Sequence, residues 1–383
     1  MTTAARLSFF LLYLTFPFYL FPSGGAQMST GFALLTLLLL VVSGPKNIVL
    51  TRQVVAHLMF VFYALSVNIA WLFKTWDPTF FNHILFTGFA GLTFFTVAAL
   101  AREFDAKTAR LLLLVILVTI VGQLAIVSLD LGRESYRAIG FFNNPNQLSY
   151  FAALCAGTAL IVGHLYRLDT PLVPLIVLAA VPVSVMSLSR GGTLSCLLYV
   201  VLLVFFNKTL SFAMRAFIIV ALLAGGTVTV DRFLDSEVYD EFSQRLDDDD
   251  IARESEGNRG YARIFNHPEN IVWGAGEGGY ERFDEEIELH SWPATVLFCY
   301  GLIGLGLMAR FLWVSMPDFR TALYLLPLVL YNLTHHGGRS LIVWCLLGLI
   351  AAYAAQQESR GAVTRSRGRS GSRRRRRRVV ART

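Results

Sequence analysis

The chain has 383 residues, of which 55% are hydrophobic and 15% charged, and its mean hydropathy is +0.56. A soluble domain carries about 25% charged residues, so a water-soluble globule and a disordered chain are both excluded. The thirty Phe and the long apolar runs point instead to a polytopic helical membrane protein. The net charge of +7 belongs to a tail: eleven of the 33 Lys and Arg lie between Arg360 and Arg382, and the body without them is slightly acidic.

In chain order, twelve apolar segments read as candidate spans, near 7–22, 28–43, 53–73, 79–101, 109–129, 147–166, 171–188, 192–207, 214–230, 292–314, 320–335 and 339–355. The first starts at Arg6 without a small-residue cleavage site, so it reads as a retained helix rather than a signal peptide. An even number of spans puts both termini on one side. If that side is cytoplasmic, the short inner segments hold eleven Lys and Arg and the short outer loops five, the bias expected of a chain with both ends inside. The expected architecture is all-α: a membrane bundle of about twelve transmembrane helices with one long periplasmic loop. Residues 1–230 hold nine spans, 231–291 the loop, 292–355 three spans, and 356–383 an Arg-rich disordered cytoplasmic tail. The loop carries 18 of the 26 acids and only six Arg. Its Tyr261, Phe265, Trp273, Tyr280 and Phe283, with a glycine cluster, predict that its second half folds. No internal repeat and no inverted pair of Gly/Pro-broken helices stands out.

The cysteines Cys155, Cys196, Cys299 and Cys345 all sit in apolar runs without zinc spacing or a CxxC pair, so they read as packing residues. His57 and His83 read the same way.

Three constellations fall on the outer face. In Arg137-Ala-Ile-Gly140-Phe-Phe-Asn143-Asn144-Pro145-Asn146-Gln147, Pro145 suits a first helical turn and Asn144 a cap, and a capped helix start with an Arg nearby can also bind an anion. In Ser187-Leu-Ser189-Arg190-Gly191-Gly192, the Arg ends an apolar run, where it is costly unless it is paired or lines a wet cavity. Snorkelling to headgroups is the plain alternative, but positive charge is disfavoured on this face. The third runs from Gly274-Ala-Gly276-Glu-Gly278-Gly279-Tyr280 to Glu288-Leu-His290-Ser291. No strand–helix unit surrounds the glycines, so they read as tight turns and not as a dinucleotide fingerprint. His290 offers an imidazole, suited to removing a proton from a sugar hydroxyl. Arg259, Arg263, His335, His336 and Arg339 are further candidates, since guanidinium donors fit phosphate oxygens. Asp247–Asp250 read as a solvated run rather than a metal site.

Taken together, these parts resemble the O-antigen ligase and O-antigen polymerase superfamily of bacterial envelope glycan assembly. The resemblance rests on the dozen spans, Gly140-Phe-Phe-Asn-Asn-Pro-Asn146 before a helix, Ser189-Arg190-Gly191, and a long outer loop. That loop closes with Pro268, Gly274-Ala-Gly276 and His290-Ser291 before a span holding Tyr300-Gly-Leu-Ile-Gly304. It covers roughly residues 130–310. The family implies a glycan donor on undecaprenyl diphosphate at the periplasmic face of the inner membrane, and an acceptor that is the lipid A core for a ligase or a second lipid-linked repeat for a polymerase. It implies no cofactor and no metal. By that resemblance Arg190 and a loop Arg (Arg259 or Arg263) hold the diphosphate and His290 is the catalytic base; the spacing to Pro268 and the Arg-rich tail depart from the family pattern.

The chemistry that follows is an inverting transfer. Fixed Arg donors stabilise the charge growing on the departing diphosphate, a role expected of Arg190 with Arg259 or Arg263, helped by Arg137, Arg339, Asn144 and Asn146, while His290 deprotonates the acceptor hydroxyl. Membrane lipids are expected partners, the tail meeting anionic headgroups; nucleic acid is not, because no folded or aromatic module accompanies the arginines. A lipid-linked glycan transporter and a non-catalytic scaffold are the competing readings.

Overall fold

A computed structural model describes residues 3–21, 27–44, 50–129, 137–221, 224, 260–283 and 289–359, and among these it is helical with no strand. The helices are α1 (Thr3–Thr15), α2 (Met28–Val42), α3 (Arg52–Thr75), α4 (Thr79–Ala101), α5 (Ala106–Leu129), α6 (Pro145–Leu165), α7 (Leu172–Met186), α8 (Arg190–Phe206), α9 (Phe212–Ala221), the short α10 (Ala262–Asn266), α11 (Trp292–Ser315), α12 (Phe319–Thr334) and α13 (Leu341–Ser359). Each of the twelve expected segments carries a helix. Six of them, α3, α4, α5, α6, α11 and α13, are long and apolar enough to cross a membrane. Their outward faces are apolar, as with Phe62 and Phe73 on α3 or Val118 and Leu129 on α5, which suits lipid and not water. The chain is a helical membrane protein. The remaining segments hold helices of 10–17 residues, shorter than the roughly 20 residues that a bilayer core demands, so twelve crossings do not follow from length.

The first segment also differs from expectation. Its helix stops at Thr15, because Pro17 cannot continue the backbone ladder. The chain from Phe16 to Phe21 instead runs over the loop before α6: the Tyr19 N–H donates to the Phe141 carbonyl (3.1 Å) and Asn143 Nδ2 to the Phe21 carbonyl (3.1 Å).

α6 is the central helix, buried along almost its whole length. Small residues make this possible, since Ala152, Ala153, Ala156, Gly157 and Ala159 let neighbours approach closely. It packs on α5, α7, α8 and α12; α3 packs on α4 and α11, and α1 on α2 and α5. Its start is fixed locally. Asn144 is extended and its side chain accepts from the Gln147 N–H (2.9 Å), with Pro145 at the first helical position. Asn144→Ala removes this cap and is expected to cost about 1 kcal/mol, read as a lower unfolding temperature in detergent with the fold retained.

α11 is broken. Gly301 lies at φ +66°, ψ −174° inside it. That conformation interrupts the helical ladder, and the segment 270–276 fills the gap. The N–H groups of Ala275 and Gly276 donate to the carbonyls of Phe298 (2.9 Å) and Cys299 (2.8 Å), and the Leu302 N–H donates to the Ile271 carbonyl (2.7 Å). Gly301 is nine residues into α11, about 13 Å from its start. This part of the expected outer loop is thus inserted among α3, α4 and α11, where its backbone groups find partners, as irregular backbone at membrane depth must. The sequence reading found no inverted pair of Gly/Pro-broken helices; among the described residues α11 carries a break at Gly301. The Arg-rich tail from residue 360 and all of 231–259, with Asp247–Asp250 and Arg259, lie outside the described residues.

Candidate functional site

Hydrogen bonds tie one set of helix ends together: the starts of α4, α6, α8, α11 and α13, the ends of α3, α7 and α12, and the segment 260–283. Among the described residues, every candidate from the sequence lies at this end. They fall into two groups on either side of the turn His335–Arg339.

The first group is open. Arg137 Nε donates to the Ser187 carbonyl (3.2 Å) and its Nη2 approaches Asn146 Oδ1 (3.4 Å), which ties the loop before α6 to the end of α7. Arg190 is the first residue of α8 and is exposed. The glycines after it make room: a methyl group added at Gly191 would come within 3.3 Å of the His335 ring, and at Gly192 it would collide with the Ser149 side chain. His335 stacks on Tyr331 (centroids 4.4 Å apart), and the Tyr331 hydroxyl donates to the Asn146 carbonyl (3.0 Å). Asn144 is exposed at the cap of α6. His290 is exposed one residue before Ser291, whose hydroxyl caps α11. The next residue but one is joined to the same turn, since the Trp292 N–H donates to the His335 carbonyl (3.3 Å). Arg137, Asn146, Tyr331 and His335 are thus joined, Gly191 abuts His335 directly after the exposed Arg190, and the Trp292–His335 link brings the start of α11, which follows His290, to the same turn. Helix starts carry partial positive charge, so this face suits an anion.

The second group is closed, and its centre was not legible in the sequence. Glu277, 6% exposed, sits in the glycine run. Its Oε1 meets Arg339 Nη2 (2.9 Å), His83 Nδ1 (3.3 Å) and His336 Nε2 (3.8 Å); its Oε2 accepts from the Tyr300 hydroxyl (2.8 Å); its N–H donates to Asn68 Oδ1 (2.8 Å). Burial alone raises this carboxyl, but the His83 hydrogen bond and the charges of Arg339, His83 and His336 outweigh it and hold Glu277 well below the usual carboxylate range. The stability this ion pair adds is therefore present at neutral pH and is lost only as the pH falls through that lowered value. A cavity of about 40 Å³ lies beneath, lined by Thr87, Tyr300, Trp292 and Trp344 among others, with room for a few waters.

Three expectations change. Arg263, expected to hold a diphosphate, is 1% exposed and stacks at 5.0 Å over the Tyr280 ring, so in this conformation no ligand reaches it from solvent. Arg339 pairs with Glu277 and is half-buried, so it belongs to the closed group. His83, read as a packing residue, bonds Glu277; His57, among the rings of Phe94, Phe311 and Trp344, does pack. The available signal for Glu277 was a lone acid inside Gly274-Ala-Gly276-Glu277-Gly278-Gly279. These glycines do turn, at positive φ, yet they also press against Cys299, Trp71, Phe80 and Thr79, where no side chain fits. Nearby, Arg282 lies 4.0 Å over the Trp71 ring and donates to the Ala275 carbonyl; burial lowers its guanidinium to about 10. Among the described residues no cluster of His, Cys, Asp and Glu is placed to hold a metal ion. No protein-family model matches the chain, and no curated protein is significantly similar to it.

Proposed function

We propose that this protein is a membrane glycosyltransferase of the O-antigen ligase kind, moving a glycan from undecaprenyl diphosphate to an acceptor hydroxyl at the periplasmic face of a bacterial inner membrane. The observation that supports the reading is the open face: Arg137, Asn146 and His335 are linked there, the exposed Arg190 starts α8 beside Gly191, which abuts His335, and His290 precedes the adjoining start of α11. A diphosphate leaving group needs fixed cationic donors and the acceptor hydroxyl needs a base nearby, and the face offers both at the mouth of a lipid-exposed bundle, where a polyprenyl carrier is soluble. Arg190 and Arg137 take the phosphate oxygens, His290 takes the hydroxyl proton, and the sugar inverts at C1 because attack comes opposite the departing diphosphate. A polymerase of repeat units uses the same donor chemistry and differs only in its acceptor.

The test is transfer by the protein reconstituted in liposomes with an undecaprenyl-diphosphate-linked glycan. Labelled glycan is expected to move to lipid A core or to a second lipid-linked repeat, and the acceptor that works separates ligase from polymerase. Loss of glycan from the donor without any transfer product, but with its appearance on the other leaflet, supports the second reading, a transporter. That reading draws on the break in α11, the buried Glu277–Arg339 pair, and His57, whose ring nitrogens have no hydrogen-bond partner within the bundle.

A further inference from the structure

We infer that Glu277 is a positioning residue for this site: its carboxylate locks the glycine segment into the break of α11 and so holds the His290 end of that helix against the His335–Arg339 turn. The inference rests on the proposed transfer reaction only for its activity measurement.

The argument runs through connectivity. One side chain and its own N–H touch four separate pieces of chain: α3 through Asn68, α4 through His83, α11 through Tyr300, and the turn before α13 through Arg339 and His336. The segment it belongs to supplies the N–H groups that satisfy the Phe298 and Cys299 carbonyls at the break. Withdraw the carboxylate, and the turn before α13 loses the 2.9 Å Arg339–Glu277 contact while the glycine segment loses its charged anchor. The outer part of α11, Trp292–Tyr300, is then tied to the rest of the end by neutral contacts alone: the Trp292–His335 and Asn68–Tyr300 hydrogen bonds, the backbone bonds from Ala275 and Gly276, and packing. His290 and Ser291 lead directly into that part. Glu277 itself is buried behind Arg339, so it acts through the placement of His290 and not on a substrate.

Cys299 reports on the same joint independently. It is buried, it is a free thiol, and its carbonyl accepts from the Gly276 N–H (2.8 Å). An opening of the segment exposes it to a small alkylating reagent.

The experiment uses the full chain in liposomes with Glu277→Gln, Glu277→Asp and wild type. It measures steady-state transfer and the rate at which N-ethylmaleimide modifies Cys299, located by peptide mass spectrometry. Glu277→Gln is expected to lower kcat by about 10²-fold, the order expected of a displacement of about 1 Å in a reacting group. KM for the donor stays within about twofold and the pH profile keeps its shape, because substrate contacts and proton carriers are untouched. Cys299 is expected to react at least about tenfold faster, as the local opening becomes easier. Glu277→Asp, which keeps the charge, recovers part of both. Wild-type Cys299 reactivity in Glu277→Gln overturns the proposal whatever the activity, and a changed pH profile overturns it in favour of direct proton transfer by Glu277. If the wild-type protein transfers no glycan, the transferase reading fails, and the alkylation rates still decide whether Glu277 holds the joint.

Discussion

Arg190→Ala and His290→Ala are each expected to leave the protein in the membrane at wild-type amounts and to cut glycan transfer by about 10²-fold or more. For Arg190 the figure is that of losing one preorganised donor to a developing negative charge, about 10²–10³ in kcat; for His290 it is that of losing a general base, about 10²–10⁴. Both side chains are exposed at helix starts, and the caps themselves are the neighbouring Ser189 and Ser291, so each substitution is expected to change stability by about 0.5 kcal/mol. A loss of activity at these positions therefore reports chemistry and not unfolding. Arg190→Lys separates two roles of the cation: it keeps the charge but loses the planar fork, so partial recovery indicates a point charge and no recovery indicates a two-pronged phosphate contact. Arg137→Ala is a weaker test, since its Nε holds the Ser187 carbonyl and its loss loosens the loop as well. The measurement is initial rate in liposomes, normalised to the folded protein. Near-normal transfer by both Arg190→Ala and His290→Ala removes the open face from the reaction.

Much of the frame was readable from hydropathy, because in a bilayer length and apolarity decide where a helix can lie, and no tertiary contact is needed to see it. The starts of α4, α8 and α11 fall within two residues of the expected segments. Asn144 and Pro145 marked the start of α6 because capping is a local matter of a few backbone N–H groups. What was not readable needed distance in sequence. Glu277 gains its meaning from Asn68, His83, Tyr300 and Arg339, which lie 209, 194, 23 and 62 residues away, and nothing in a glycine run announces such partners. Arg263 is the converse case. Its residue type and its place in a polar loop suggested a phosphate ligand, but the fold encloses it against Tyr280. The stretch 270–276 was misplaced for a related reason: its composition is that of a surface loop, and only the gap at Gly301 gives its N–H groups acceptors inside the bundle.

Gly301→Ala is expected to be strongly disruptive. At φ +66° and ψ −174° the residue occupies a region of backbone space open essentially to glycine alone. A side chain there costs about 1–3 kcal/mol in backbone strain, and its Cβ would also run into the Val272 carbonyl and the Gly274 backbone, neither of which is a flexible side-chain end that can swing away. The inserted segment must then leave the break, which strips the Phe298 and Cys299 carbonyls of their donors at membrane depth. The expected result is a loss of several kcal/mol, seen as a collapse in monodisperse protein after detergent extraction and a markedly lower unfolding temperature. Gly306→Ala is the control, five residues further along the same helix, where a Cβ meets nothing within 4 Å; it is expected to be neutral or stabilising by up to about 1 kcal/mol, as alanine replaces glycine in a helix. If Gly301→Ala instead matches Gly306→Ala, α11 is continuous, the glycine segment lies outside it, and the closed group around Glu277 has no joint to hold.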